Sequence, residues 1–249
     1  EGQFTLVNVD EDNVIDAELI KKKIVVTLDI ESNVEITNQV SYLLNKAMLK
    51  RDLLESEINK ESRERIIPLI IVQLPNENPV ILDQVERYFE SNKISYDNGL
   101  LSVWLSNKKI NIDTIEDNSD KTVAVIIKQA ISTGWDCPRA HILVKLRDNM
   151  NETFEIQTIG RIRRMPEAHF YNNELLNYCY LYTFDEKYVE EVKKESGKNV
   201  LDAVTLYLNP FFDLSGVNLK KQLKNPINYG IDSRHAVLSI SNHFKTKYN

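Results

Sequence analysis

The sequence has few of the residues that small or exotic folds depend on. Two cysteines, Cys137 and Cys179, in 249 residues are too few for a disulfide framework and lack the paired spacing of a zinc site, and the four histidines are scattered. Seven glycines and seven prolines, with no compositional repeat, exclude collagen-like and low-complexity architecture. No apolar run approaches the length a bilayer crossing needs. The acidic start (Glu1, Asp10, Glu11, Asp12, Asp16) is the opposite of a secretory signal's basic first segment, so the chain is expected to be cytoplasmic, with no membrane partner. No excess of positive charge is present either. With Lys plus Arg at 31 and Asp plus Glu at 37 the net charge is −6, so nucleic-acid binding would need a local basic surface. Such surfaces are available in the segment from Lys128 to Arg164 and in the tail from Lys220 to Lys247.

What is present is a succession of short apolar runs alternating with amphipathic stretches. Lys23–Ile30 reads as a strand and Glu35 to about Arg65 as a long charged helix. From Ile66 come IIPLIIVQL, a helix from about Val80 to Ser91, LLSVWL after the Asn98-Gly99 turn, TVAVIIK and HILVKL. A helix near Thr153–Arg164 and YCYLYTF follow, and Asp185–Val204 reads as mostly helical. Strands that are apolar on consecutive residues are buried on both faces, and alternation with helices means parallel pairing through crossovers. The expected fold class is therefore α/β, a parallel sheet with helices on both faces plus flanking helical segments. Three regions are expected: 1–65, a flanking strand and long helix; 66–190, the α/β domain; and 191–249, a helical or irregular extension.

Two segments carry the chemistry. In QTIGRIRR (Gln157–Arg164), helical spacing puts Gln157, Arg161 and Arg164 on one face, with Ile159 and Ile162 toward the sheet. Guanidinium groups on such a face suit bidentate contact with phosphate oxygens, and Gly160, which costs helix stability, suits close approach of a phosphate or another backbone. In STGWDCPRA (Ser132–Ala140), directly after the buried strand TVAVIIK, Gly134 lets backbone amides approach a phosphate, Thr133 offers a hydroxyl and Asp136 can accept from a ribose hydroxyl. Each residue also has a plainer reading. Asp136 can cap its own turn, Trp135 can pack rather than stack a base, and Gln73, Asn76 and Ser106 can be ordinary loop residues.

TGWDCP followed by QTIGRIRR resembles motifs V and VI of a superfamily 2 helicase or translocase, with IIVQLPNEN in the place of motif IV. The Gly-Trp-Asp-x-Pro form, with Arg-Met-Pro after motif VI, is most similar to the restriction (Res) subunit of type III restriction-modification enzymes. The resemblance covers roughly Ile66–Pro166. It implies the second of two RecA-like domains, a helicase C-terminal domain that acts in an ATP-dependent DNA translocase within an endonuclease, a hydrolase. It implies ATP and Mg2+ held mainly by a first RecA-like domain, Arg161, Arg164 and Gln157 at the triphosphate, and Gly134 and Asp136 at the nucleotide. Thr133, Gly134, Gln73, Asn76 and Ser106 would then lie along the DNA, and a methyltransferase subunit would be a partner. Arg163 is an extra arginine, so which guanidinium meets the γ-phosphate stays open. No G-x-x-x-x-G-K-[ST] occurs in the sequence, so the chain is expected to be part of a longer motor and inactive alone. The competing readings are a non-catalytic nucleic-acid or partner-binding module, and another superfamily 2 repair or RNA helicase.

Overall fold

The computed structural model describes residues 9–27, 39–75, 79–128, 135–146 and 158–203, all within one compact unit, Glu1–Thr205. Asn76, Thr133, Gly134 and Gln157 lie outside the described residues, as does the basic tail.

The elements in chain order are α1 (Glu11–Asp16), β1 (Lys23–Thr27), α2 (Gln39–Glu61), β2 (Leu69–Gln73), α3 (Pro79–Ser91), β3 (Leu101–Trp104), β4 (Lys109–Ile110), β5 (Ala124–Ile127), β6 (Ala140–Lys145), β7 (Tyr178–Thr183), α4 (Glu186–Ser196) and β8 (Val200–Ala203). Residues 158–162, between β6 and β7, are also helical. The strands form one eight-stranded sheet in the order β4-β3-β5-β2-β6-β7-β1-β8, parallel throughout except for the β3–β4 hairpin.

The continuous apolar runs are explained by two cores, one on each face. Along β2, Ile70 and Val72 enter the core with Leu43, Leu44, Leu54, Val85 and Phe89 of α2 and α3, whereas Leu69 and Ile71 enter the core with Ile159, Ile162, Tyr188, Val189 and Val192. Successive side chains on a strand point to opposite faces, so a strand buried on both sides has no polar alternation. β5 and β6 behave alike, fully buried along their length. Gln73 pairs with Ile127 in register, which puts the ends of β2 and β5 at the same edge of the sheet, as parallel pairing requires.

The sheet is wider than the segment 66–190. β1 lies inside it, parallel to β7 on one side and to β8 on the other. The end of the Asp185–Val204 stretch, expected to be helical, is corrected by the same pairing: α4 stops at Gly197, whose φ of 46° an L-residue rarely adopts, and Val200–Ala203 turns into strand against β1. No described helix is long and apolar enough to cross a membrane.

Candidate nucleotide-contact site

The helix 158–162 lies on the second face of the sheet, anchored by Ile159 and Ile162, which are 5% and 0% exposed. It ends before Arg164, the limit that the sequence period suggests. After Ile162 the chain turns, and Arg164 forms an antiparallel bridge with Ile20, the backbone N–H of Met165 donating to the Leu19 carbonyl at 3.0 Å. Arg164 therefore departs from the helix rather than completing a helical i, i+4, i+7 stripe, yet its side chain still comes to the same place as that of Arg161.

That place is the segment Trp135–Asp136. Arg164 Nη1 pairs with Asp136 Oδ1 at 2.5 Å, both groups about half exposed. Arg161 donates from Nη1 to the Trp135 carbonyl, and its guanidinium lies 5.8 Å from the Trp135 ring centre. Burial, and secondly the neighbouring charge of Arg164, push the Arg161 pKa down, while Asp136 opposes the shift. Two guanidinium groups and one carboxylate thus share a partly exposed site. Arg163 does not join them. It is buried, its Nη2 held by Glu11 Oε1 at 2.8 Å, and the same Glu11 oxygen accepts from Asn199 at 2.7 Å.

Trp135 is 3% exposed and packs edge-on against Trp104, ring centres 6.4 Å apart, so here it packs rather than stacks a ligand. The Asp136 amide donates to Glu116 Oε1 at 3.2 Å, and Cys137 Sγ lies 3.3 Å from the Ile115 carbonyl, burial pushing its thiol up to about 12. The described part of the β5–β6 connection, from Trp135 on, thus runs along the second face of the sheet; the turn that follows β5 lies outside the described residues. By Arg139 it has reached the start of β2, where the Arg139 carbonyl accepts from Leu69 at 3.0 Å.

Of the residues expected along a nucleic acid, Ser106 is exposed after β3. Gln73 has no exposed surface, and its backbone carbonyl accepts from Leu146 at 2.9 Å. Its side chain is thus enclosed at the end of a central strand.

Among the buried cations, two beside the site were not apparent from the sequence. Arg139, 0% exposed, donates to the carbonyls of Ile115 (2.9 Å), Ile67 (2.9 Å) and Thr122 (3.0 Å) and to Asp120 Oδ1 (3.2 Å), tying the loop before β5 to the site segment. Lys21, also 0% exposed, has its Nζ within hydrogen-bond distance of the carbonyls of Pro138, Ala140, Ile162 and Arg164, which share its N–H donors, and burial pushes its pKa down to about 7. The only sequence signal for Lys21 was its place in a Lys-Lys-Lys run before an apolar strand, a pattern that ordinarily marks a solvated strand start.

No known family's sequence profile matches the chain, and no curated protein matches its sequence. Solved structures similar to it include the C-terminal domain of S. cerevisiae Dbp5 bound to Gle1 and IP6, at 12% identity and TM-score 0.41, covering 74% of this chain and 89% of that one. The type ISP restriction-modification enzyme LlaBIII bound to DNA is similar at 14% identity and TM-score 0.39, covering 68% of this chain but 12% of that one. A fragment assigned to the HsdR subunit of a type I restriction enzyme from Vibrio vulnificus YJ016 is similar at 15% identity and TM-score 0.44, covering 76% and 38%.

Proposed function

We propose that the chain is the second motor domain of a superfamily 2 ATP-dependent DNA translocase of the type III restriction class, supplying arginine fingers to ATP bound by a first RecA-like domain. The supporting observation is the meeting of the two motif segments, Asp136 with Arg164 and the Trp135 carbonyl with Arg161, although these residues are 28 and 26 positions apart. A guanidinium pair beside a carboxylate suits a triphosphate and its ribose. The arginines stabilise charge that builds on phosphate oxygens during transfer, and Asp136 accepts from a hydroxyl.

Both arginines are held yet partly exposed, and Arg164 can exchange its carboxylate partner for a phosphate when a second domain closes. In this reading Mg2+ is held with the nucleotide by the first domain. Thr133, Gly134 and Ser106 are the candidates for the DNA track, Gln157 for the nucleotide, and a methyltransferase subunit for the partner.

The test is complementation. The 249-residue chain alone is expected to hydrolyse no ATP with or without DNA, and turnover is expected to appear when a nucleotide-binding first domain with a phosphate loop is joined ahead of it. Turnover by the chain alone would contradict the reading.

A further inference from the structure

Lys21 joins the two halves of the candidate site. Its ammonium donates to the Ile162 carbonyl at 2.8 Å and to the Arg164 carbonyl, both in the segment that carries the arginines. It also reaches the carbonyls of Pro138 (3.4 Å) and Ala140 (3.3 Å), which follow Asp136. The backbone reinforces this grip: the Lys21 amide donates to the Arg163 carbonyl at 2.5 Å, Ile20 bridges Arg164, and Glu11 holds the Arg163 guanidinium turned away from the Arg161–Arg164 pair. Residues 11–21 thus fasten residues 162–165 from both main chain and side chain.

A buried cation is an expensive way to fill space. An apolar side chain of similar length would pack there without the desolvation cost, whereas carbonyls left without a donor would lose their partners. The N–H donors of Lys21 Nζ fix where the carbonyls of Ile162 and Arg164 point. Lys21 Nζ thereby sets the distance between the segment holding Asp136 and the segment holding Arg161 and Arg164. We propose that Lys21 is a positioning residue for the Arg161–Arg164 pair, acting through the main chain of both segments without touching the nucleotide. This rests on the motor reading given above.

The test has two arms. In the 249-residue chain, the Nη signals of Arg164 are followed by NMR. A guanidinium held by Asp136 rotates slowly and gives separate signals, and Lys21→Met is expected to merge them while the methyl spectrum of the core stays dispersed. In the motor joined to its first domain, Lys21→Met is expected to lower kcat about a hundredfold with KM for ATP nearly unchanged, since misplacing a catalytic group by about 1 Å has a cost of that order. Lys21→Arg is expected to restore part of both. If Lys21→Met does not fold, Lys21→Gln, which keeps an amide donor for two of the four carbonyls, carries the same comparison. Unmerged Arg164 signals together with unchanged kcat would overturn the proposal. Merged signals in a motor whose turnover does not depend on Arg161 or Arg164 would instead overturn the finger reading and leave the positioning role of Lys21 intact.

Discussion

Arg164 and Asp136 meet at 2.5 Å, yet each keeps roughly half its side chain exposed. Exposed ion pairs contribute at most about 1 kcal/mol because water and salt screen them and two side chains must be ordered. Asp136→Asn is therefore expected to lower folding stability by less than about 1 kcal/mol in urea titrations. A loss several times larger would mean that the pair is part of the core and is not free to exchange partners.

Arg139 provides the contrast. Fully buried and bonded to three carbonyls and to Asp120, it cannot be replaced by solvent. Arg139→Ala is expected to cost about 3–5 kcal/mol, the range for breaking a buried pair from one side. Urea titration of Arg139→Ala beside Arg161→Ala separates a residue that holds the loop from one that faces the cleft. Equal losses would contradict that division.

Gly160 is exposed within the helix 158–162, and no described atom lies within 4 Å of where a Cβ would stand. Packing among the described residues does not require glycine there. Gly160→Ala is expected to stabilise the chain by about 0.5–1 kcal/mol through helix propensity. In the joined motor it should lower turnover if a phosphate or backbone approaches at this point. A destabilised Gly160→Ala would show that the space is filled in solution.

Stability should depend on pH through Lys21. Its folded-state pKa is about 7, against an ordinary value of 10.5 in the unfolded chain, so between these values the unfolded state binds the extra proton and stability rises with pH. Above about pH 9 the sign reverses, because burial pushes the Cys137 thiol up to about 12 and the Cys179 thiol up to about 11 and the unfolded chain gives up those protons first. Burial raises the phenols of Tyr96, Tyr171 and Tyr180, so the unfolded chain gives up those protons first. Denaturation midpoints are expected to climb from pH 7 toward a maximum at about pH 9 and to fall above it, with the climb absent in Lys21→Met. A flat profile in the unaltered chain would contradict a buried, depressed Lys21.

Much of the fold was legible in the sequence because burial on both faces leaves a local mark. IIPLIIVQL, TVAVIIK and HILVKL have no polar alternation, and the structure buries β2, β5 and β6 throughout. The place of β1 was not legible. Local periodicity identifies a strand but not its partners, and the pairing of Lys23–Thr27 with residues some 155 positions later is a long-range choice. The end of the arginine helix was missed for the same reason, since Ile20 captures Arg164 from the far end of the unit. Lys21 was hidden because three successive lysines read alike, and only the fold buries the first of them. That Asp136, Arg161 and Arg164 share one site was implied by the resemblance of the two motifs; the ion pair itself was not legible.

The central claim is that Arg161 and Arg164 act on the transferring phosphate. It is tested most directly by paired ATPase and DNA-binding titrations of the joined motor at one fixed salt concentration, because phosphate contacts are strongly salt-dependent. Arg161→Ala and Arg164→Ala are expected to cut ATP turnover by about a thousandfold or more with DNA affinity nearly unchanged, and Arg→Lys is expected to rescue little, since an ammonium loses the planar two-point grip. Normal ATP turnover with lost DNA binding would contradict the account and assign the two arginines to the DNA track.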